Sequence, residues 1–97
     1  MQTDQLIPVK VFCESHRIEY SFISMLYDTG LIEMLVVDDV SFVAPEQVEP
    51  LEKMVRLYYD LGINVEGIET ITHLLERINR MQMEISLLQS RLRLYED

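Results

Sequence analysis

The chain has 97 residues, 48% of them hydrophobic, and a net charge of −9 at pH 7. That length suits one small domain, and no apolar run approaches the roughly 18 residues of a membrane span. Residues 1–50 hold two cations, Lys10 and Arg17, against nine carboxylates, whereas residues 51–97 hold six against eight. The first half therefore repels phosphates, on which nucleic-acid affinity largely rests, and suits a basic protein partner. Cys13 is the only cysteine, so there is no intrachain disulfide and a reducing compartment is expected. Asp4 precedes the first short apolar run and no cation precedes it, so no secretory signal is read here. The expectation is a soluble cytoplasmic protein.

Residues 1–5 are polar and expected to be loose, and Leu6 and Ile7 read as a short extended piece. Pro8 suits the first position of a helix, and Val9, Phe12 and Cys13 give that helix an i, i+3, i+4 face. The spacing predicts a first helix over about 8–16. A second is expected over 18–28, with Ile18, Phe22, Met25 and Leu26 on one face and Ile23 and Tyr27 beside it. Thr29-Gly30 closes it, Gly30 being free to turn left-handed. Two short helices joined by a tight turn suggest a helix-turn-helix. The period then changes. Leu31 to Val37 and Val40 to Val43 are rich in Leu, Ile and Val, with Asp38-Asp39 between them. This predicts a β-hairpin over about 31–43, a wing with the two aspartates at its turn.

Ala44-Pro45 opens the next helical stretch, over about 45–61. Val48, Leu51, Val55 and Tyr58 form one face, with Met54 and Leu61 alongside. Pro50 removes a hydrogen bond wherever it lies inside a helix. A first turn near Pro45 and a main helix from Pro50 to Asp60 are therefore expected, with Gly62 as the stop. Asn64 is a candidate N-cap for the last helix, and Gly67 weakens its first turn. From Ile68 to Glu96 there is no Pro or Gly. Ile71, Ile78, Ile85 and Leu92 fall at heptad a positions, and Leu74, Met81, Leu88 and Tyr95 at d positions. A mean spacing of 3.5 keeps this seam on one side of a helix about 43 Å long. Each buried Ile or Leu contributes about 1.5–3 kcal/mol, so such a seam calls for a second helix, most simply from another copy. The chain thus divides into a winged helix-turn-helix-like domain, 1–64, and a long dimerisation helix, 65–97.

Catalytic and metal chemistry find little footing. Cys13 and His16 are three apart on a helix, but a closed zinc site takes four ligands. The only other histidine is His73. Cys13 reads as a small buried apolar residue, and His16 as a helix-end residue favoured by the dipole. The glycines stand at 30, 62 and 67 and form no phosphate loop. No enzyme activity, metal, cofactor or small-molecule ligand is expected. Tyr58-Tyr59 reads as core packing. Asp38-Asp39 is ordinary turn chemistry, yet with Glu14, Glu19, Asp28 and Glu33 it also gives the second helix and wing an acidic surface.

The order helix-turn-helix, wing, helix, long coiled-coil helix resembles the MerR-like winged-helix regulators. Within them the chain is most similar to the CbpM-type chaperone modulators, over nearly its whole length. The residues behind this are Val11-Phe12-Cys13, Gly30-Leu31-Ile32, Ser41-Phe42-Val43, Val55-Arg56-Leu57 with Leu61, Gly67-Ile68, Leu87-Leu88 and Arg91-Leu92. DNA-binding members typically carry arginines in the second helix and the wing. Ser21 and Ser24 stand at the matching helix positions, Met25 replaces the usual aromatic, and the wing reads Val-Val-Asp-Asp-Val. The readout and phosphate-clamp residues are missing. The resemblance implies a homodimer that binds the J-domain of a DnaJ- or CbpA-like co-chaperone and restrains its stimulation of Hsp70, without nucleic acid or membrane. The acidic charge of the first half, set against the basic helix expected on a J-domain, makes Asp28, Glu33, Asp38 and Asp39 the expected contacts. The competing surface lies on the helices around Arg56, Glu66 and Glu69. The alternatives are a MerR-like DNA-binding transcription regulator and a purely structural dimerisation adaptor.

Overall fold

Pro8 is where the first strand passes into the first helix. In a computed structural model, which describes residues 5–96, β1 (Ile7–Pro8) leads into α1 (Val9–His16) and α2 (Tyr20–Asp28). β2 (Leu35–Val37) and β3 (Val40–Val43) follow, then α3 (Pro45–Val55), a π-helical turn (Arg56–Asp60) and α4 (Val65–Glu96). The chain is mainly helical, a winged helix-turn-helix followed by a long C-terminal helix. The expectations for residues 1–4 and Asp97 lie outside the described residues.

Pro8 does not open α1 from within. Its φ of −59° and ψ of 132° put it in the cap position, one residue ahead. α1 ends on Arg17, a left-handed residue at φ 57°. The Ile18 N–H then donates to Cys13 O at 3.0 Å and the Arg17 N–H to Glu14 O at 3.4 Å. These paired bonds form a Schellman closure, which takes Ile18 out of the next helix, so α2 begins at Tyr20 rather than 18. Gly30, at φ 83°, ends α2 in the same way. The Leu31 N–H donates to Leu26 O at 2.9 Å and the Gly30 N–H to Tyr27 O at 3.0 Å.

The wing is a three-stranded antiparallel sheet in the order β1-β3-β2. The extended piece before α1 is its third strand, with Ile7 opposite Val43. Leu31 to Met34 are not strand as expected. They form a connector whose Ile32 plugs the core, while the Glu33 N–H donates to Gln47 Oε1 at 3.2 Å. Asp38 and Asp39 both have positive φ, 51° and 64°. A two-residue hairpin loop with that pair of angles is a type I′ turn, whose twist matches the flanking strands.

α3 continues unbroken past Pro50 to Val55, which corrects the expected break. The missing Pro50 N–H would have served Glu46 O, in the first turn of the helix, so a single bond is lost. Past Val55 the helix widens. The Leu61 N–H donates to Arg56 O at 3.2 Å, five residues back. Gly62, at φ 68°, then turns the chain. The core lies where α1, α2, α3 and the start of α4 meet over β3. It comprises Val9, Phe12, Cys13, Phe22, Ile23, Leu26, Ile32, Val43, Leu51, Met54, Val65 and Ile68. Met25, expected on that face, is 39% exposed. The buried face of α2 turns instead on Phe22, Ile23 and Leu26.

Candidate functional site

α2 and the wing, the elements that would meet a partner in a winged helix, are held by ties across long sequence separations. The Phe22 ring packs against Tyr58 at 4.4 Å and meets Tyr59 edge-on at 5.5 Å and 79°. Tyr58 and Tyr59 are adjacent, and the widened π turn lets both reach one ring. The Tyr59 hydroxyl accepts the Glu19 N–H at 3.1 Å, securing the entry to α2. His16 stacks on Phe12 at 3.9 Å. Its Nδ1 lies 3.0 Å from Phe12 O and its Nε2 3.0 Å from the Glu52 carboxylate. His16 is thus a tie between α1 and α3 rather than only a helix end. Neither tie had a sequence signal, because each joins residues 36 or 40 positions apart.

Cys13 is buried, and burial, followed by the neighbouring Glu14 charge, raises its thiol pKa. With the His16 nitrogens engaged as described, Cys13 and His16 do not act as a pair. Among the described residues no group of three or more His, Cys, Asp or Glu could hold a metal ion. No helix there is long and apolar enough to cross a membrane.

The outward side of α2 shows Tyr20, Ser21, Met25, Tyr27 and Asp28 to solvent. Between Arg17 and Lys53 there is no Lys or Arg, but Glu19, Asp28, Glu33, Asp38, Asp39, Glu46, Glu49 and Glu52 fall there. Among the described residues the paired carboxylates are Glu52, which meets His16, and Glu49, which forms an i,i+4 pair with Lys53. Asp28, Glu33, Asp38 and Asp39 are all exposed and belong to neither pair. The clefts do not gather these four together. Asp39 shares one with Val9, Lys10, Tyr20, Val40 and Ser41, between the wing and the two short helices. Asp28 shares another with Met25, Thr29, Val65 and Glu66. The second helix thus abuts the start of α4, and the competing surface around Glu66 begins beside Asp28. Arg56 lies elsewhere, in an apolar cleft of the π turn and α4 lined by Leu57, Leu61, Ile71 and Leu75.

On α4 the head domain covers Val65 and Ile68 and half-covers Ile71. The other seam residues, Leu74, Ile78, Met81, Ile85, Leu88, Leu92 and Tyr95, are exposed along the helix.

The sequence model of a family described as MerR HTH family regulatory protein matches residues 7–90. The chain belongs to this MerR family. The match runs from β1 through the wing and most of α4, so helix-turn-helix, wing and long helix fall within one family unit. No curated protein and no solved structure matches the chain. Within a MerR frame the absence of Lys and Arg from Ile18 to Glu52 is the feature that needs a functional account. Phosphate contacts position a helix-turn-helix on DNA, and here α2 and the wing offer carboxylates instead.

Proposed function

We propose that this MerR family member is a CbpM-type chaperone modulator acting in the cytoplasm. It binds the J-domain of a DnaJ- or CbpA-like co-chaperone and, by covering it, inhibits its stimulation of Hsp70. The observation that supports this reading is the cation-free stretch from Ile18 to Glu52, which makes up α2, β2 and β3 of the wing and the first part of α3. A J-domain presents a basic helix to Hsp70, and an acidic surface is complementary to it. Such charges mainly steer the encounter. The mechanism is occlusion, with no bond made or broken and no cofactor.

Titration calorimetry with the cognate J-domain tests this. The wild-type chain binds; Asp38→Lys/Asp39→Lys weakens binding and Glu66→Lys/Glu69→Lys does not, both having been shown folded by circular dichroism. The opposite pattern moves the contact to the helices, and no binding by the wild type rejects the function. A second reading, a DNA-binding transcription regulator, is favoured by the family match itself. A mobility shift with duplex DNA at micromolar protein and about 0.15 M salt separates the two. The first reading expects no shift.

A further inference from the structure

The wing has an apolar face that the fold leaves open. Leu35 pairs with Phe42, Val36 with Ser41 and Val37 with Val40, while Pro8 of β1 pairs with Phe42 and Ile7 with Val43. Side chains alternate along a strand, so Leu35, Val37, Val40, Phe42 and Pro8 share one face of the sheet. Val43 is fully buried in the core and Ile7 packs against it, which turns their face inward at the base of the wing and the other face outward, although Val36 of the first face is 67% exposed nearer the tip. Leu35, Val37 and Val40 remain 48%, 41% and 45% exposed. A hairpin turn requires none of this, since Asp38-Asp39 already sets the register and hydroxylated or charged residues would serve outside.

Glu33 precedes this face and Asp38 and Asp39 stand at its tip, with no cation in the wing. A second copy of the chain would bring the same carboxylates together, and a nucleic acid would bring phosphates to them. Both are repelled, whereas a cationic protein segment is attracted. We propose that the outer face of the wing docks an amphipathic cationic segment of a partner protein. Its aliphatic side chains settle on Leu35, Val37 and Val40, and its Lys or Arg side chains meet Asp38, Asp39 and Glu33. The inference deepens the function proposed above and rests on it, the basic helix of the J-domain being such a segment. Desolvated apolar contacts hold a complex together, while rim charges set how fast it forms.

The test is surface plasmon resonance with the J-domain as probe. Leu35→Thr/Val37→Thr/Val40→Thr keeps strand propensity and removes apolar surface at exposed positions, so the fold is retained, as circular dichroism checks. Its dissociation should be faster by about tenfold or more, with association within about twofold, since interface changes act mostly on dissociation. Val36→Thr, also exposed but on the opposite face of the sheet, should match the wild type, and Val37→Thr alone serves if the triple variant fails to fold. Wild-type binding that the outer-face variants leave unchanged overturns this inference and spares the proposed function. No wild-type binding overturns both. A change in the oligomeric state of the protein alone, by sedimentation, makes the face a self-contact and overturns the proposal.

Discussion

Gly67 shows how one residue's role inverts between sequence and structure. By helix propensity it weakens the first turn of α4, and alanine there would add about 1 kcal/mol. In the structure the Gly67 N–H donates to Asn64 Oδ1 at 2.8 Å, the N-cap that the sequence suggested. A Cβ at 67 would lie 2.7 Å from Ile63 Cγ2 and 3.1 Å from that same Asn64 Oδ1. Ile63 Cγ2 is a branch at Cβ and cannot swing clear by itself, so the cap or the Ile63 contact must give. Gly67→Ala should therefore destabilise the protein by about 1 kcal/mol, as the loss of an N-cap does. Asn64→Ala should cost about the same, and urea denaturation of both variants measures it. Cys13 gives a second prediction. Its thiol pKa is raised by burial and then by Glu14, so the folded state holds the proton longer than the unfolded state does. Its contribution to stability is complete below the ordinary thiol value of 9.0 and falls as pH rises past it. Cys13→Ser should flatten that alkaline limb of a stability-against-pH curve.

At the scale of elements, Pro50 is the sharpest disagreement between residue and structure. A break is expected there because an interior proline costs about 3 kcal/mol relative to alanine. α3 absorbs it because Leu51 and Met54, immediately beyond, are buried in the core, and packing outweighs one lost bond. The cost is still carried, so Pro50→Ala, at an exposed position, should raise stability by about 1–3 kcal/mol. A thermal melt that stays put or falls would mean that Pro50 is instead favoured by the turn it begins. Local signals made most elements legible. Phe22 and Leu26 marked α2, Gly30 its end, Asp38-Asp39 the hairpin turn and Asn64 the start of α4. What stayed hidden was pairing across distance. Nothing local in Ile7-Pro8 says that it joins β3, or that Glu19 will meet Tyr59. Register also settles faces more finely than period does. Met25 lies one step off the Phe22–Leu26 stripe and falls outside. The apolar character of the wing was readable, but which face the core would take depended on where Val43 lodged.

The whole molecule, with extents of 59 × 35 × 21 Å, is a small head with α4 as an arm. Every residue from His73 to Glu96 is exposed. Burying an Ile or Leu side chain stabilises by roughly 1.5–3 kcal/mol, so the open seam from Leu74 to Tyr95 gives a large drive to pair α4 with a second α4. Like charge on the heads argues for keeping them apart. An antiparallel pair, the orientation that the resemblance to MerR-like regulators implies, puts them at opposite ends. In the register that overlaps the two seams fully, it would set Ile71 of one copy opposite Tyr95 of the other, Leu74 opposite Leu92, Ile78 opposite Leu88, and Met81 opposite Ile85. A parallel pair, which isoleucine at three of the four a positions and leucine at two of the four d positions would also suit, sets Ile85 against Ile85. The two are told apart by oxidation of engineered thiols. Ile85→Cys alone should stay uncrosslinked, while a mixture of Met81→Cys and Ile85→Cys chains should yield a covalent heterodimer. Rapid crosslinking of Ile85→Cys to itself would establish the parallel arrangement. Ile78→Asp and Ile85→Asp each place a carboxylate in the seam and should convert dimer to monomer or to unfolded chain. Light scattering that finds the wild type monomeric at high micromolar concentration would show that something other than a second copy covers the seam.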